Sequence, residues 1–332
     1  MKRDHIRVHV ARVQVIEITV IQAGPDIDEQ STTVSPAGSR VCAPEHRLII
    51  ESQAKSPVTK TCTRIAAVCC LLVALSRPAA AQLAPPNDIG VALGHMHLAV
   101  KDVEAQKQFW TTMLGGTLVT NGPLVLVQFP GIYIMLRQAD AADPPAGSIV
   151  DHFGLVYRDI AAARERWKAA GVKYDVGRIN PNQGYVFLPD SPIRVEVFGD
   201  PSLPGPVSMD HIHLYPVEAD IPAIQAWYAK VFGGLPGKRQ RVSQPGLIDC
   251  DYFHRFQLSF SASNTKRVAT KGRAIDHLGF DVRNLDQFEQ HLADQGLKFE
   301  EPPRQIPNTK ARVAFLTDPW GTYIEVTEHL AP

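Results

Sequence analysis

Ile275-Asp276-His277-Leu278-Gly279-Phe280-Asp281-Val282 has the alternation of a β-strand. His277, Gly279 and Asp281 fall on one face, and Leu278, Phe280 and Val282 on the other. The apolar face suits a helix packed behind it; the polar face can present a metal ligand. A second strand, Thr322 to Val326, closes the same unit and carries Glu325. One strand histidine by itself is far more often an ordinary core or surface residue than a ligand. The weight of this one comes from its recurrence.

The opening occurs four times: Gly94-His95-Met96-His97-Leu98, Asp151-His152-Phe153-Gly154-Leu155, Asp210-His211-Ile212-His213-Leu214 and Asp276-His277-Leu278-Gly279-Phe280. Each is followed by a helix with readable ends, Asp102, Asp159, Asp220 and Asn284 as N-caps and Gly115, Gly171, Gly233 and Gly296 as stops. The spacings of Ile160, Ala163 and Trp167, and of Leu285, Phe288 and Leu292, predict helix faces turned to a core. Short β-runs follow, the last being Ile132 to Leu136, Ile193 to Phe198, Phe256 to Phe260 and Thr322 to Val326. Four βαβββ units predict an α+β fold.

Units one and three share His-x-His-Leu, while units two and four share His-x-Gly and the endings Val186 to Asp190 and Ala314 to Asp318. A repeated two-unit half, with Pro201 to Pro206 as linker, accounts for both likenesses. It predicts two domains, 93–201 and 207–330, each an open, cup-shaped mixed sheet with helices outside.

Lys+Arg and Asp+Glu are both 34, so formal net charge is zero; with no basic run, nucleic acid is not an expected partner. From Lys60 the chain has a basic start, an apolar run from Ile65 to Leu75, and Ala79-x-Ala81 before Gln82. That run is too short to span a bilayer and reads as a secretory signal over 60–81. The expected mature protein is exported, periplasmic or extracellular, without a stable membrane anchor. Residues 1–59 read as a disordered extension or an over-extended start. Cys42, Cys62, Cys69 and Cys70 precede the cut, which leaves Cys250 and no internal disulfide.

At the last-strand position the units read Met135, Glu196, Gln257 and Glu325. Each half then offers two histidines and one carboxylate: His95, His152 and Glu196, and His211, His277 and Glu325. Two imidazoles and a carboxylate suit Fe(II), Mn(II) or Zn(II) with positions left for a small-molecule substrate. Gln257 is an additional ligand candidate, and His213, His97 and His254 are candidates for proton transfer.

These openings, with the ending Pro319-Trp320-Gly321-Thr322-Tyr323-Ile324-Glu325, resemble the vicinal oxygen chelate superfamily, the glyoxalase, bleomycin-resistance and extradiol-dioxygenase group. The resemblance covers about residues 93 to 330. It implies that two units form one cup, with divalent-metal ligands on first and last strands facing inward. The two-domain dioxygenases imply His211, His277 and Glu325 as ligands, but their signature histidine and tyrosine are replaced here by the Ile306-Pro307-Asn308 region and Phe315. Glyoxalase-type lyases imply four ligands per site, usually with two glutamates; Met135 breaks that count. The expectation is a dioxygenase-type metalloenzyme, with a lyase or isomerase, or a non-catalytic binder, as alternatives; an oligomer is compatible with each.

Overall fold

The computed structural model describes residues 83–140, 143–254 and 256–331. The expected leader, signal segment and four N-terminal cysteines lie outside them. Cys250 is a buried free thiol. Among the described residues no helix is long and apolar enough to cross a membrane.

Unit one runs β1 (Val91–Val100), α1 (Val103–Thr112), β2 (Thr117–Asn121), β3 (Leu124–Phe129) and β4 (Ile132–Gln138). Unit two is β5 (Val150–Tyr157), α2 (Ile160–Ala169), β6 (Gln183–Phe187) and β7 (Arg194–Gly199). Its expected extra strand survives as the single bridge Tyr174↔Val186. Unit three is β8 (Val207–Leu214), α3 (Ile221–Phe232), β9 (Leu235–Gln240), β10 (Leu247–Phe253) and β11 (Phe256–Phe260). Unit four is β12 (Ile275–Val282), α4 (Leu285–Ala293), β13 (Arg304–Gln305), β14 (Arg312–Thr317) and β15 (Tyr323–Glu328).

Asp102, Asp159 and Asn284 accept a hydrogen bond from the backbone N–H three residues on, as N-caps do. Asp220 does not cap: it is helical, closes a short 3-10 turn over Glu218–Asp220, and is followed by Pro222, whose missing N–H suits a first turn. The four stop glycines all take positive φ, from 67° to 85°.

The units join as two mixed sheets, and the pairing differs from the expected one. One sheet has the order β13-β14-β15-β12-β1-β4-β3-β2, the other β6-β7-β5-β8-β11-β10-β9. Unit one therefore pairs with unit four, and unit two with unit three, through antiparallel β1–β12 and β5–β8 seams. Each half of the chain gives one unit to each cup. Connection length is consistent with this arrangement. Residues 200–206 need only carry β7 across β5 to β8 within one sheet, whereas β4 and β5, and β11 and β12, lie in different sheets and are further apart in sequence. The segments leading into β5 and β12 are bridged at Asp143↔Arg273 and Ser148↔Val268.

The apolar faces meet in one core between the sheets and helices. Trp110 of α1 packs on Phe129 of its own sheet and stacks on Phe153 of the other. Phe232 of α3 stacks on Phe280 with ring centres 4.0 Å apart. With the leucines and phenylalanines of the central strands turned to the helices, the alternate residues turn to the cup faces.

Candidate metal centres

The strand registers assemble two clusters of like design. In the first sheet His95 lies opposite Gly279, which lies opposite Glu325, so the three form a row across β1, β12 and β15. In the second, His211, Gly154 and Glu196 form the same row across β8, β5 and β7. Each glycine leaves room for the imidazole beside it: a Cβ on Gly279 would overlap the His95 ring, and one on Gly154 the His211 ring. The adjacent rows pair His97 with His277 and His213 with His152.

The resulting groups are His95, His97, His277 and Glu325, and His152, Glu196, His211 and His213, with ligand atoms within 4.8 Å of one another. The structure thus regroups the six expected ligands. His95 joins His277 and Glu325 rather than His152 and Glu196, and His211 makes the opposite exchange. Each cup also gathers a third histidine, His97 or His213. His254 sits exposed in the β10–β11 turn, outside both clusters. Gln257 donates to Asp210 Oδ2 at 3.4 Å, behind His211, rather than completing a ligand set. The β8–β11 register makes Ser259, not Gln257, the counterpart of Met135.

Both clusters converge on one carboxylate oxygen. Glu325 Oε2 is 2.8 Å from His277 Nε2 and 3.7 Å from His95 Nε2. Glu196 Oε2 is 3.2 Å from His152 Nε2 and 3.0 Å from His211 Nε2. Ligands at right angles and about 2.1 Å from an ion stand about 3 Å apart, so the spacings fit a divalent cation. Neither ring nitrogen of buried His95 has a hydrogen-bond partner among the described residues, a costly state for an imidazole that an ion at Nε2 would relieve.

Outer carboxylates fix the rings. Asp276 accepts from His277 Nδ1 at 2.6 Å, Asp151 from His152 Nδ1 at 2.7 Å and Asp210 from His211 Nδ1 at 2.8 Å. Each bond turns Nε2 toward the cluster, the orientation that metal-ligating histidines use. Gln183 donates to the other Glu196 oxygen at 2.8 Å.

The charges follow. Burial opposes ionisation of Glu196 and Glu325, but the facing histidines outweigh it and hold both carboxyls well below their ordinary value. Burial likewise opposes charge on His277 and His211, whose carboxylate partners outweigh it and raise them. His97 and His213 have no such partner, and burial with neighbouring imidazoles holds them well below their ordinary value. They are neutral bases beside the ligand sets.

The cups differ at their walls. Phe315 lies opposite Glu325 in the β14–β15 ladder, and Tyr185 lies opposite Glu196 in the β6–β7 ladder. The Tyr185 ring meets His152 edge-on at 5.4 Å and carries the Arg194 guanidinium 4.4 Å above it. A phenol thus occupies the place in one cup that Phe315 occupies in the other. Sequence reading missed it because matching the apolar runs set Phe187, not Tyr185, against Phe315.

The sequence profile of the Glyoxalase/Bleomycin resistance protein/Dioxygenase superfamily matches residues 92–202 and 181–326. Among solved structures, glyoxalase I from Zea mays superposes with TM-score 0.58 at 18% identity, over 72% of this chain and 92% of that one. A putative dioxygenase from Bacillus subtilis subsp. subtilis str. 168 superposes with TM-score 0.54 at 13% identity, over 74% of this chain and 87% of that one. At these identities the likeness shows a shared fold. No curated protein matches the chain.

Proposed function

The chain belongs to the Glyoxalase/Bleomycin resistance protein/Dioxygenase superfamily, and from that premise we propose that it is a metal-dependent enzyme of the dioxygenase type whose working centre is the β5–β7–β8 cup. The observation that carries this is the two-histidine, one-carboxylate set (His152, His211, Glu196) with a neutral third histidine and a phenol, Tyr185, directly opposite the ligand carboxylate, where the other cup has Phe315 and keeps its phenol, Tyr323, beside His277. A lyase of the two-glutamate kind has less support, since each cluster holds one carboxylate.

A divalent ion held there supplies Lewis acidity toward two adjacent substrate oxygens and, as iron, redox chemistry with dioxygen. The protein's part is positioning and proton transfer. Asp151 and Asp210 keep the Nδ1 protons of His152 and His211 turned away from the cluster. His213 Nε2 lies 2.9 Å from Ser261 Oγ and its Nδ1 3.3 Å from His152 Nε2, so the tautomer that places the proton on Nε2, toward Ser261, leaves the Nδ1 lone pair facing the site. From there His213 accepts a proton from a substrate hydroxyl. Burial and nearby Glu196 raise the Tyr185 phenol, so it stays protonated and serves as a donor.

Elemental analysis of anaerobically prepared protein, with oxygen uptake on catechol, tests the reading. Bound iron and catechol-dependent uptake, both lost in Glu196→Gln, are expected. Hemithioacetal turnover without oxygen uptake would replace it with the lyase reading. Export through the 60–81 signal belongs to the same proposal, and an N-terminus at or near Gln82 in the mature protein is its expected mark.

A further inference from the structure

The floors of the two cups have opposite chemistry. Following one register row from the third histidine outward, the first sheet presents His97, Met135, Leu126 and Val119. The second presents His213, Ser259, Cys250 and Gly237. In the first cup Leu330 and Leu83 pack on Leu126, Tyr133 and Met135, so an apolar cluster fills that part of the floor. Asn121 holds the tail in place, donating to the Leu330 carbonyl at 2.9 Å.

In the second sheet the position matching Asn121, two residues beyond Gly237, is Arg239. Its Nε donates to the buried Ser259 Oγ at 2.9 Å, which draws the guanidinium over β11, one strand from His213 and about 5 Å across. The ion-paired arginines among the described residues are Arg137, Arg194, Arg273 and Arg312. Arg239 is not one of them. Asp249, its near neighbour on β10, is already paired with Lys238 at 2.6 Å. The two terminal nitrogens of Arg239 therefore keep their donors on the face that carries His211 and His213.

We infer that the β5–β7–β8 cup takes a small carboxylic acid, its vicinal oxygens on the His152–His211–Glu196 set and its carboxylate on Arg239, and that Arg239 thereby sets specificity. This rests on the chelation reading above. The other cup, with Asn121 occupied by the tail and an apolar floor, offers no matching group for the acid among the described residues. A bidentate arginine–carboxylate contact accounts for a tenfold or larger preference, and lysine at this position replaces it only in part.

The test uses the zinc-loaded full chain carrying His277→Ala, which leaves the second cup's ligands intact. Catechol and 3,4-dihydroxybenzoate, alike in their chelating oxygens, are titrated calorimetrically with and without zinc. The acid is expected to bind at least tenfold tighter than catechol. Arg239→Gln should abolish that difference while catechol affinity holds, and Arg239→Lys should keep part of it. A preference that survives Arg239→Gln, or no preference in the parent, overturns the inference and leaves zinc-dependent chelation standing. Binding of both probes that ignores zinc overturns the chelation reading and the inference with it.

Discussion

Gly154 and Gly279 do as much for the two clusters as the histidines beside them. Each lies between an imidazole and the carboxylate it faces, and neither site tolerates a methyl group without moving the ring. Gly154→Ala is expected to displace His211 and weaken metal binding in that cup by at least tenfold, while the His95 cluster keeps its affinity; competition with a chromophoric chelator reads both sites. The carboxylates behind the rings act by orientation. Asp151 serves His152 and also accepts from Arg194 at 2.8 Å, and it is held down to about 2, since burial is outweighed by His152 and Arg194. Asp151→Asn should lower metal affinity about 10- to 100-fold with little change in thermal stability, measured by the same competition and by melting of the metal-free protein. His213→Ala should keep the metal and lose turnover, which metal content and oxygen uptake on one sample would separate.

Among the elements, α3 and β10 enclose the most exceptional side chain outside the clusters. Asp251 is fully buried, and neither carboxylate oxygen has a hydrogen-bond partner among the described residues. Gln225 beside it donates to the carbonyls of Gly237 and Cys250. Burial pushes the Asp251 carboxyl up to about 7 from 3.8. The folded chain thus keeps a proton that the unfolded chain has lost, and this group's contribution makes stability fall as pH rises from about 4 to about 7. Asp251→Asn should remove that slope and stabilise the protein at pH 7.5 by roughly 2 kcal/mol, with little effect at pH 4; urea midpoints at the two pH values give the comparison.

Element boundaries were largely legible, because caps, glycine stops and apolar periods act within a few residues of themselves. The strand Ile275–Val282 begins and ends where its alternation does. Tyr185 was not legible for a related reason. A slip of two residues along a strand keeps every side chain on its own face, so the apolar pattern that aligned Phe187 with Phe315 could not detect the error. Asp220 failed as a cap because Pro222 and a 3-10 turn start that helix by other means.

For the molecule as a whole, the residues of the candidate sites could be read but not their partition. Each unit carries the same local pattern, and a strand edge of one unit is open to any other. Connection length discriminates among pairings, and residues 200–206 are short enough to keep units two and three in one sheet. Neither half contains a complete cluster, since His95 meets Glu325 and His211 meets Glu196. Fragments 83–201 and 202–332 are therefore expected to bind zinc poorly when expressed apart and to recover both sites when co-expressed, as zinc content per complex would show.

The two seams also differ in the stretch of chain each must close. His211 finds Glu196 a short way back along the chain, whereas His95 must wait for Glu325, near the other end. Closing the longer loop is slower, and long-range strand pairing comes late. On a growing chain the second cup has all its strands once β11 has emerged, while β1 still lacks β12 along one edge. That unpaired edge invites another chain in the interval. The two centres thus have a birth order, with the ligand set of the polar cup complete before that of the apolar one exists.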